Sequence, residues 1–390
     1  MRPAKRVAAH LALSALLTTV LTGFAGPVTR AQLVTQAKVH DEVEGVVRQQ
    51  IEAMLPPDGM GGAALAIRIG ARTRFFNYGA ADVAKKSPVT ADSIFNLASA
   101  GKLFAATLLA QAIKQGELRL DDPVADYVTE LAQGADIRRV TLGELASHTS
   151  GLPRGVRNYE PWHKGKYTLP DFVRFLQAWK ADKDHQPGKQ YLYSNAAFVL
   201  LQIALERRFK VPIATLMHQR LTQSLAMSST ALPLPLALLN RAVQGYAANG
   251  RPLGAPGEEQ GVLAFPAGDQ IYSSARDMAA FLTANLGELG EHRALEDAMA
   301  LAQHGIFTVS PQFTQALAWQ IVKGPDIAIV EKDGGLSNSS TYIGMVPQKK
   351  LGLLILSNRG RQPVTRVGRE ILYELAQESP DSPAAGVAPD

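Results

Sequence analysis

The 390-residue chain contains no cysteine, which excludes disulfide staples, thiolate metal sites and a cysteine nucleophile at once. Its eight histidines show no spacing of the His-Glu-x-x-His kind, so no resident metal and no other cofactor is expected. No glycine-rich phosphate loop is present. A Gly-x-Ser-x-Gly elbow is missing too: Leu97-Ala98-Ser99-Ala100-Gly101 comes nearest and lacks the first glycine. No internal repeat is visible, which argues against solenoids and propellers.

Strong charge is also scarce once its location is considered. The net charge is +5, yet Arg2, Lys5, Arg6 and Arg30 supply most of it, and residues 1–31 hold no acid. The remainder is nearly neutral, so nucleic acid and anionic membrane are not expected partners. Those same basic residues precede an apolar run from Leu11 to Ala25, broken by Ser14, Thr18, Thr19, Thr22 and Gly23. A charged start, a short apolar stretch and small residues after it are the layout of a secretory signal peptide. The expectation is a cleavable leader over 1–31, a periplasmic or secreted protein, no stable membrane anchor, and a monomer.

What is present is an ordinary globular composition, 46% hydrophobic and 19% charged, long enough to bury a sizeable core. Helical spacing predicts a helix over 42–55, ended by Pro56-Pro57, and further helices over 141–147, 169–179, 196–207, 213–223, 275–286 and 364–376. Residues 63–69 and 73–78 read as a hairpin across Gly70-Ala71-Arg72, and 314–322, 327–331, 342–346 and 351–356 as strands. Residues 99–115 are apolar nearly all round, which marks a buried helix. A run dense in proline and glycine over 231–266 reads as a long connection. Strands thus cluster at both ends and helices in the middle. The expected fold is α+β: an antiparallel sheet domain flanked by helices and built from 32–95 and 240–378, an inserted all-helical domain over 96–239, and a disordered tail over 379–390.

Three short motifs carry chemistry. In Ser99-Ala100-Gly101-Lys102 the lysine lies one helical turn after the serine, within reach of its hydroxyl. A serine hydroxyl is a poor nucleophile at neutral pH until a neighbouring base takes its proton. Burial drives a lysine toward its neutral, proton-accepting form, which suits that task. A capping serine beside a surface lysine would look the same, except that this run has almost no other polar residue. Tyr193-Ser194-Asn195 follows Pro187-Gly188 and precedes a helix; a tyrosine near a cation can act as a general base, and an asparagine amide can orient an amine and a carbonyl. Read alone, it is also a turn with Asn195 capping the helix. Lys332-Asp333-Gly334-Gly335 follows the strand 327–331, where a lysine can fix a substrate carboxylate and glycines let a substrate lie close.

In this order, the three motifs resemble the signatures of the serine β-lactamase and penicillin-binding protein superfamily, and most closely the class C β-lactamases. The likeness extends to Phe95-Asn96-Leu97-Ala98-Ser99, to 116–124, to His148-Thr149-Ser150-Gly151-Leu152-Pro153, to Ala318-Trp319-Gln320 and to Val346-Pro347, and covers roughly 40–377. It implies a serine hydrolase working on a small molecule through an acyl-enzyme: Ser99 as nucleophile, Lys102 and Tyr193 sharing its proton, and the backbone N–H groups of Ser99 and Gly335 as oxyanion hole. Asn195, Lys332, Gly334 and Gly335 would bind substrate, and Arg366 would help hold its carboxylate. Opening of the β-lactam amide is the leading activity. A D,D-carboxypeptidase or transpeptidase, or an esterase, is the alternative, and a penicillin-binding sensor without turnover a third. His148 is expected in a structural turn, and Trp162, Trp179 and Trp319 in the core or groove walls. Two residues depart from the family pattern: Asp333 stands where a threonine or serine is usual, and Pro363 where class C enzymes commonly carry an asparagine.

Overall fold

The computed structural model describes residues 43–155, 168–258, 270–290 and 292–378. The expected leader, the tail and Trp162 lie outside them. After a helix over 43–54 (α1) come the strands β1 (Gly62–Ile69), β2 (Arg72–Asp82), β3 (Ser87–Pro88) and β4 (Ile94–Asn96). The helices α2 (Lys102–Lys114), α3 (Leu142–Ala146), α4 (Leu169–Ala178), α5 (Asn195–Phe209) and α6 (Ile213–Met217) follow. Then come β5 (Tyr272–Ser274), α7 (Ala275–Asn285), α8 (Arg293–Gln303), β6 (Phe307–Ser310), β7 (Phe313–Gln315) and β8 (Gln320–Lys323). The strands β9 (Ala328–Leu336), β10 (Ser339–Val346) and β11 (Leu351–Ser357) precede the last helix, α9 (Val364–Glu378).

Among the described residues the main sheet has nine strands in the order β3-β2-β1-β11-β10-β9-β8-β7-β6, with antiparallel pairing throughout. Strands from the two ends meet at β1 and β11, where Leu65 faces Ile355. The expected α+β class, with a sheet from both ends and helices between, is what forms. β10 and β11 are buried along their whole lengths, so both sheet faces are covered. Alternate residues Ala64, Ala66, Leu354 and Leu356 share a core with Met278, Phe281 and Leu282 of α7, as the two-residue period of a strand requires. α9 packs on β10 and β11. α2 is buried on all sides because it lies between α5, α6 and α8, which explains its lack of a polar face.

Several elements depart from the sequence expectation. The stretch 314–322 is not one strand: it breaks at 316–319, where Ala318 takes φ +58° and donates its N–H to Ala146 O. The Lys332–Gly335 motif lies on a strand, as expected, but β9 runs on past Glu331 through it and is no edge strand, being paired with β10 and β8. Helix α8 is absent from the sequence expectation although Leu295, Ala298, Met299 and Ala302 keep helical spacing on its buried face; the short strands β4, β5 and β6 carry no pattern long enough to be read. Among the described residues no helix is long and apolar enough to cross a membrane.

Candidate active site

Ser99 does not open a regular α-helix. It sits in a 3₁₀ turn, Ala98–Gly101, that leads into α2. Ala98, just before it, takes φ +48°, a left-handed conformation that costs a non-glycine residue free energy. Three contacts hold that turn. Asn96 Oδ1 accepts from Ala98 N–H (2.7 Å), Ile271 O accepts from Leu97 N–H (2.8 Å), and Thr341 Oγ1 on β10 donates to Leu97 O (2.8 Å). Ser339 Oγ adds a hydrogen bond to Asn96 O (2.7 Å). β10 thus helps pin the serine in a strained turn. Lys102, fully buried, donates from Nζ to Ser99 Oγ at 3.2 Å, as the one-turn spacing predicts.

Tyr193 comes in from the opposite side. His148 takes φ +58° at the end of α3, and its carbonyl accepts from Leu192 N–H (2.8 Å) while its Nδ1 accepts from Ser194 N–H (3.2 Å). Its ring centroid lies 4.3 Å from that of Tyr193 and 5.0 Å from that of Phe198. Ser194 Oγ donates to Pro153 O (2.7 Å), and Asn195 N–H to Arg154 O (2.9 Å). The 148–154 segment therefore fixes 191–195, and His148 is a structural residue, as expected. Accepting at Nδ1 makes its imidazole neutral with the proton on Nε2. Burial and the charges of Lys102 and Lys332 hold its pKa well below the usual value.

Tyr193 is flanked by cations: Lys102 Nζ, Lys332 Nζ and the Arg154 guanidinium lie 5.4, 5.6 and 5.4 Å from its ring centroid. Burial acts to raise its pKa, but Lys102, Lys332 and hydrogen bonds with Ser99 and Lys102 outweigh it and hold the phenol below its ordinary value. The helix cap after it is Ser194, whose Oγ accepts from Ala197 N–H (3.0 Å), and not Asn195. That frees the Asn195 amide from capping, and its buried Oδ1 has no hydrogen-bond partner.

Ser99 and Tyr193 meet in a pocket of about 310 Å³ lined also by Arg154, Tyr191, Gln320 and residues 332–335; Lys102 and Asn195 are not part of its lining. The two glycines of the strand motif serve different purposes. A Cβ at Gly334 would lie 2.6 Å from Leu97 O and 2.9 Å from Ala100 N, so β9 can touch the serine turn only through glycine. A Cβ at Gly335 would meet nothing within 4 Å, which leaves that side open to a ligand. Arg366 does not join the pocket lining. Its guanidinium pairs with Glu370 one turn along α9 at 2.9 Å, and more than half of its side chain is exposed. Trp319 is fully buried and Trp179 packs against the core. Three lining residues escape the sequence reading: Arg154, Tyr191 and Gln320. Gln320 belongs to a family-like segment and the other two lie beside one, but position along the chain does not say which side chains turn inward. Tyr191 is pushed up to about 12 by burial, so it stays protonated where Tyr193 does not resist ionisation. Among the described residues no cluster of His, Asp and Glu could hold a metal ion.

A family model described as Beta-lactamase matches residues 47–378. A β-lactamase of Psychrobacter immobilis is 28% identical over 389 residues, covering 92% of each chain. One from Pseudomonas fluorescens is 26% identical over 84% of this chain and 96% of its own. Among solved structures, a D-alanine carboxypeptidase from Burkholderia cenocepacia superposes with TM-score 0.75 at 27% identity, over 86% of this chain and 99% of that one. A class C β-lactamase from Rhodobacter sphaeroides gives TM-score 0.74 at 26% identity, over 87% and 99%. The serine turn with its buried lysine, the tyrosine facing it and a family match over nearly all of the folded chain lead to one conclusion: this protein belongs to the β-lactamase family of serine hydrolases.

Proposed function

We propose that the protein hydrolyses the amide of β-lactams through an acyl-enzyme on Ser99. The observation that carries the reading is the Ser99 hydroxyl held against the Lys102 amine, beside a phenol whose pKa is lowered. In the first step Ser99 Oγ attacks the lactam carbonyl, and its proton passes to the Tyr193 phenolate with Lys102 alongside. The oxyanion that forms is stabilised by the backbone N–H groups of Ser99 and Gly335. As the C–N bond breaks, the Tyr193 proton moves to the departing nitrogen. A water then gives its proton to Tyr193 and attacks the ester carbonyl; as the bond to Ser99 Oγ breaks, Tyr193 returns that proton to the serine oxygen, which releases the opened acid and restores both groups. Asn195 offers its amide to the substrate, and Lys332 keeps the field around Tyr193 positive.

The D,D-carboxypeptidase reading has one observation in its favour, the likeness to the D-alanine carboxypeptidase of Burkholderia cenocepacia. Both readings use the same acylation step and differ in how fast water clears the ester. The basic leader and the short apolar run after it support export to the periplasm or beyond; the reading is completed by a monomer acting on a small molecule. A division into a sheet domain over 32–95 and 240–378 and a helical domain over 96–239 fits the order of the elements.

A chromogenic cephalosporin followed through many turnovers tests the function, with Ser99→Ala as control. Steady hydrolysis that vanishes in the control supports a β-lactamase. A single-equivalent burst moves the assignment to the carboxypeptidase or to a sensor. Hydrolysis that survives in Ser99→Ala overturns both.

A further inference from the structure

The strand wall of the pocket holds an ion pair that its secondary structure does not require. Consecutive residues of a strand point to opposite faces, yet Lys332 Nζ turns back onto its neighbour. It lies 2.5 Å from Asp333 O and 3.0 Å from Asp333 Oδ1. Lys332 is 2% exposed, whereas half of the Asp333 side chain reaches solvent. A buried ammonium without a counter-anion is costly, and Asp333 supplies that anion from inside the protein. Asp333 is also the one carboxylate among the described residues that line the cavity with Ser99 and Tyr193. Lys332 beside it keeps its carboxyl below the usual range despite burial, so it is charged at neutral pH. A substrate carboxylate directed at Lys332 thus meets an occupied ammonium and a fixed negative charge.

We infer that Asp333 is a specificity-determining residue: paired with Lys332, it stands where a substrate carboxylate would bind and selects acyl donors that are uncharged or cationic on that wall. The inference rests on Ser99 as the nucleophile. It narrows the substrate class to neutral esters, amides and lactams, or to those bearing an amine, which the outer face of Asp333 can accept. Repulsion between like charges a few ångströms apart in a half-buried groove disfavours a carboxylate-bearing substrate by about tenfold or more.

Matched substrate pairs isolate the charge. The first pair is a chromogenic cephalosporin and its carboxylate methyl ester. The second is a phenyl ester with and without a carboxylate on the leaving ring, which reads the filter even if no lactam is turned over. The quantity measured is the ratio of kcat/KM for the acid to that for its uncharged partner. It is expected to be well below one for the wild-type protein and to rise by about tenfold in Asp333→Asn and Asp333→Thr. Added salt should raise it in the wild type and much less in the variants. A wild-type ratio near or above one overturns the inference without any variant. So does a ratio that Asp333→Asn and Asp333→Thr leave unmoved. Loss of the nucleophile assignment shows differently: a neutral fluorophosphonate would then fail to label Ser99, and turnover of both partners would persist in Ser99→Ala.

Discussion

The two walls of the pocket are built on different principles. On the helical side, Ser99, Lys102 and Tyr193 lie together as the proposed proton-transfer set, and no acid from that side lines the cavity among the described residues. The serine turn there is held by the Thr341 side chain on β10, and the tyrosine segment by the His148 ring. On the strand side, charge is already balanced by Asp333, and the backbone does the positioning through one glycine that touches the turn and one that touches nothing. The lesson is that one wall is specialised for chemistry, which fixes its residues tightly. The other is specialised for fit, which leaves room for the sequence to change. A departure from the family pattern appears on the second wall, at Asp333, and none touches the Ser99–Lys102–Tyr193 set.

The largest test of this contrast lies on the helical wall. Tyr193→Phe is expected to lower kcat/KM by about two to four orders of magnitude while the protein stays folded, as for a positioned acid or base. Wild-type rates in that variant would remove Tyr193 from the mechanism. If Tyr193 is the base proposed above, activity should fall as the pH drops through its lowered pKa. Lys332→Gln removes one of the charges that lower it, so the acid limb of the pH–rate profile should move to higher pH. An unmoved limb would mean that Lys332 does not set that field.

On the strand wall the two glycines should part company. Gly334→Ala pushes a methyl group into the backbone of the serine turn and into Thr341 Oγ1, an overpacking expected to destabilise by about 1–3 kcal/mol and to lose most activity. Gly335→Ala should keep the wild-type Tm and act only through KM. Equal losses of Tm in chemical or thermal denaturation would erase the distinction between the two positions.

A smaller effect comes from behind the helical wall. His148 is neutral in the folded protein with its pKa depressed by burial and by two lysines, and it titrates normally once unfolded. The unfolded chain therefore binds the extra proton first. His148 supports stability above about pH 6.5, and that support is lost as the pH falls below it, at up to about 1.4 kcal/mol per pH unit. Urea titrations at pH 7.5 and 5.0 should show this slope, and His148→Gln should flatten it. An identical slope in the variant would assign it to other groups.

Much of the site could be read from the chain because its signals are local. Ser99 and Lys102 are one turn apart, so their meeting follows from helical geometry even though the first turn is 3₁₀. The pattern of α2, with no polar face, announces a helix enclosed on all sides. The hairpin 62–82 and the strands 339–357 alternate or run apolar for long enough to be recognised. The failures are equally physical. Thr314–Val322 has the composition of a strand, but a left-handed residue at Ala318 breaks it, and no composition rule reports a tertiary hydrogen bond to Ala146. Asn195 and Ser194 are both good caps, and only the packing of Ser194 against Pro153 decides between them.

The pairing of Ser99 with Lys102, the order of the three motifs and the sheet drawn from both ends are legible along the chain, because each depends on periodicity or on neighbours within a turn. The tertiary structure alone decided where the charges go. Arg366 keeps to Glu370 on its own helix, Arg154 and Tyr191 turn into the pocket, and Lys332 folds back on Asp333. A buried charge takes whichever partner the packing brings within reach, and that distance is not written along the chain.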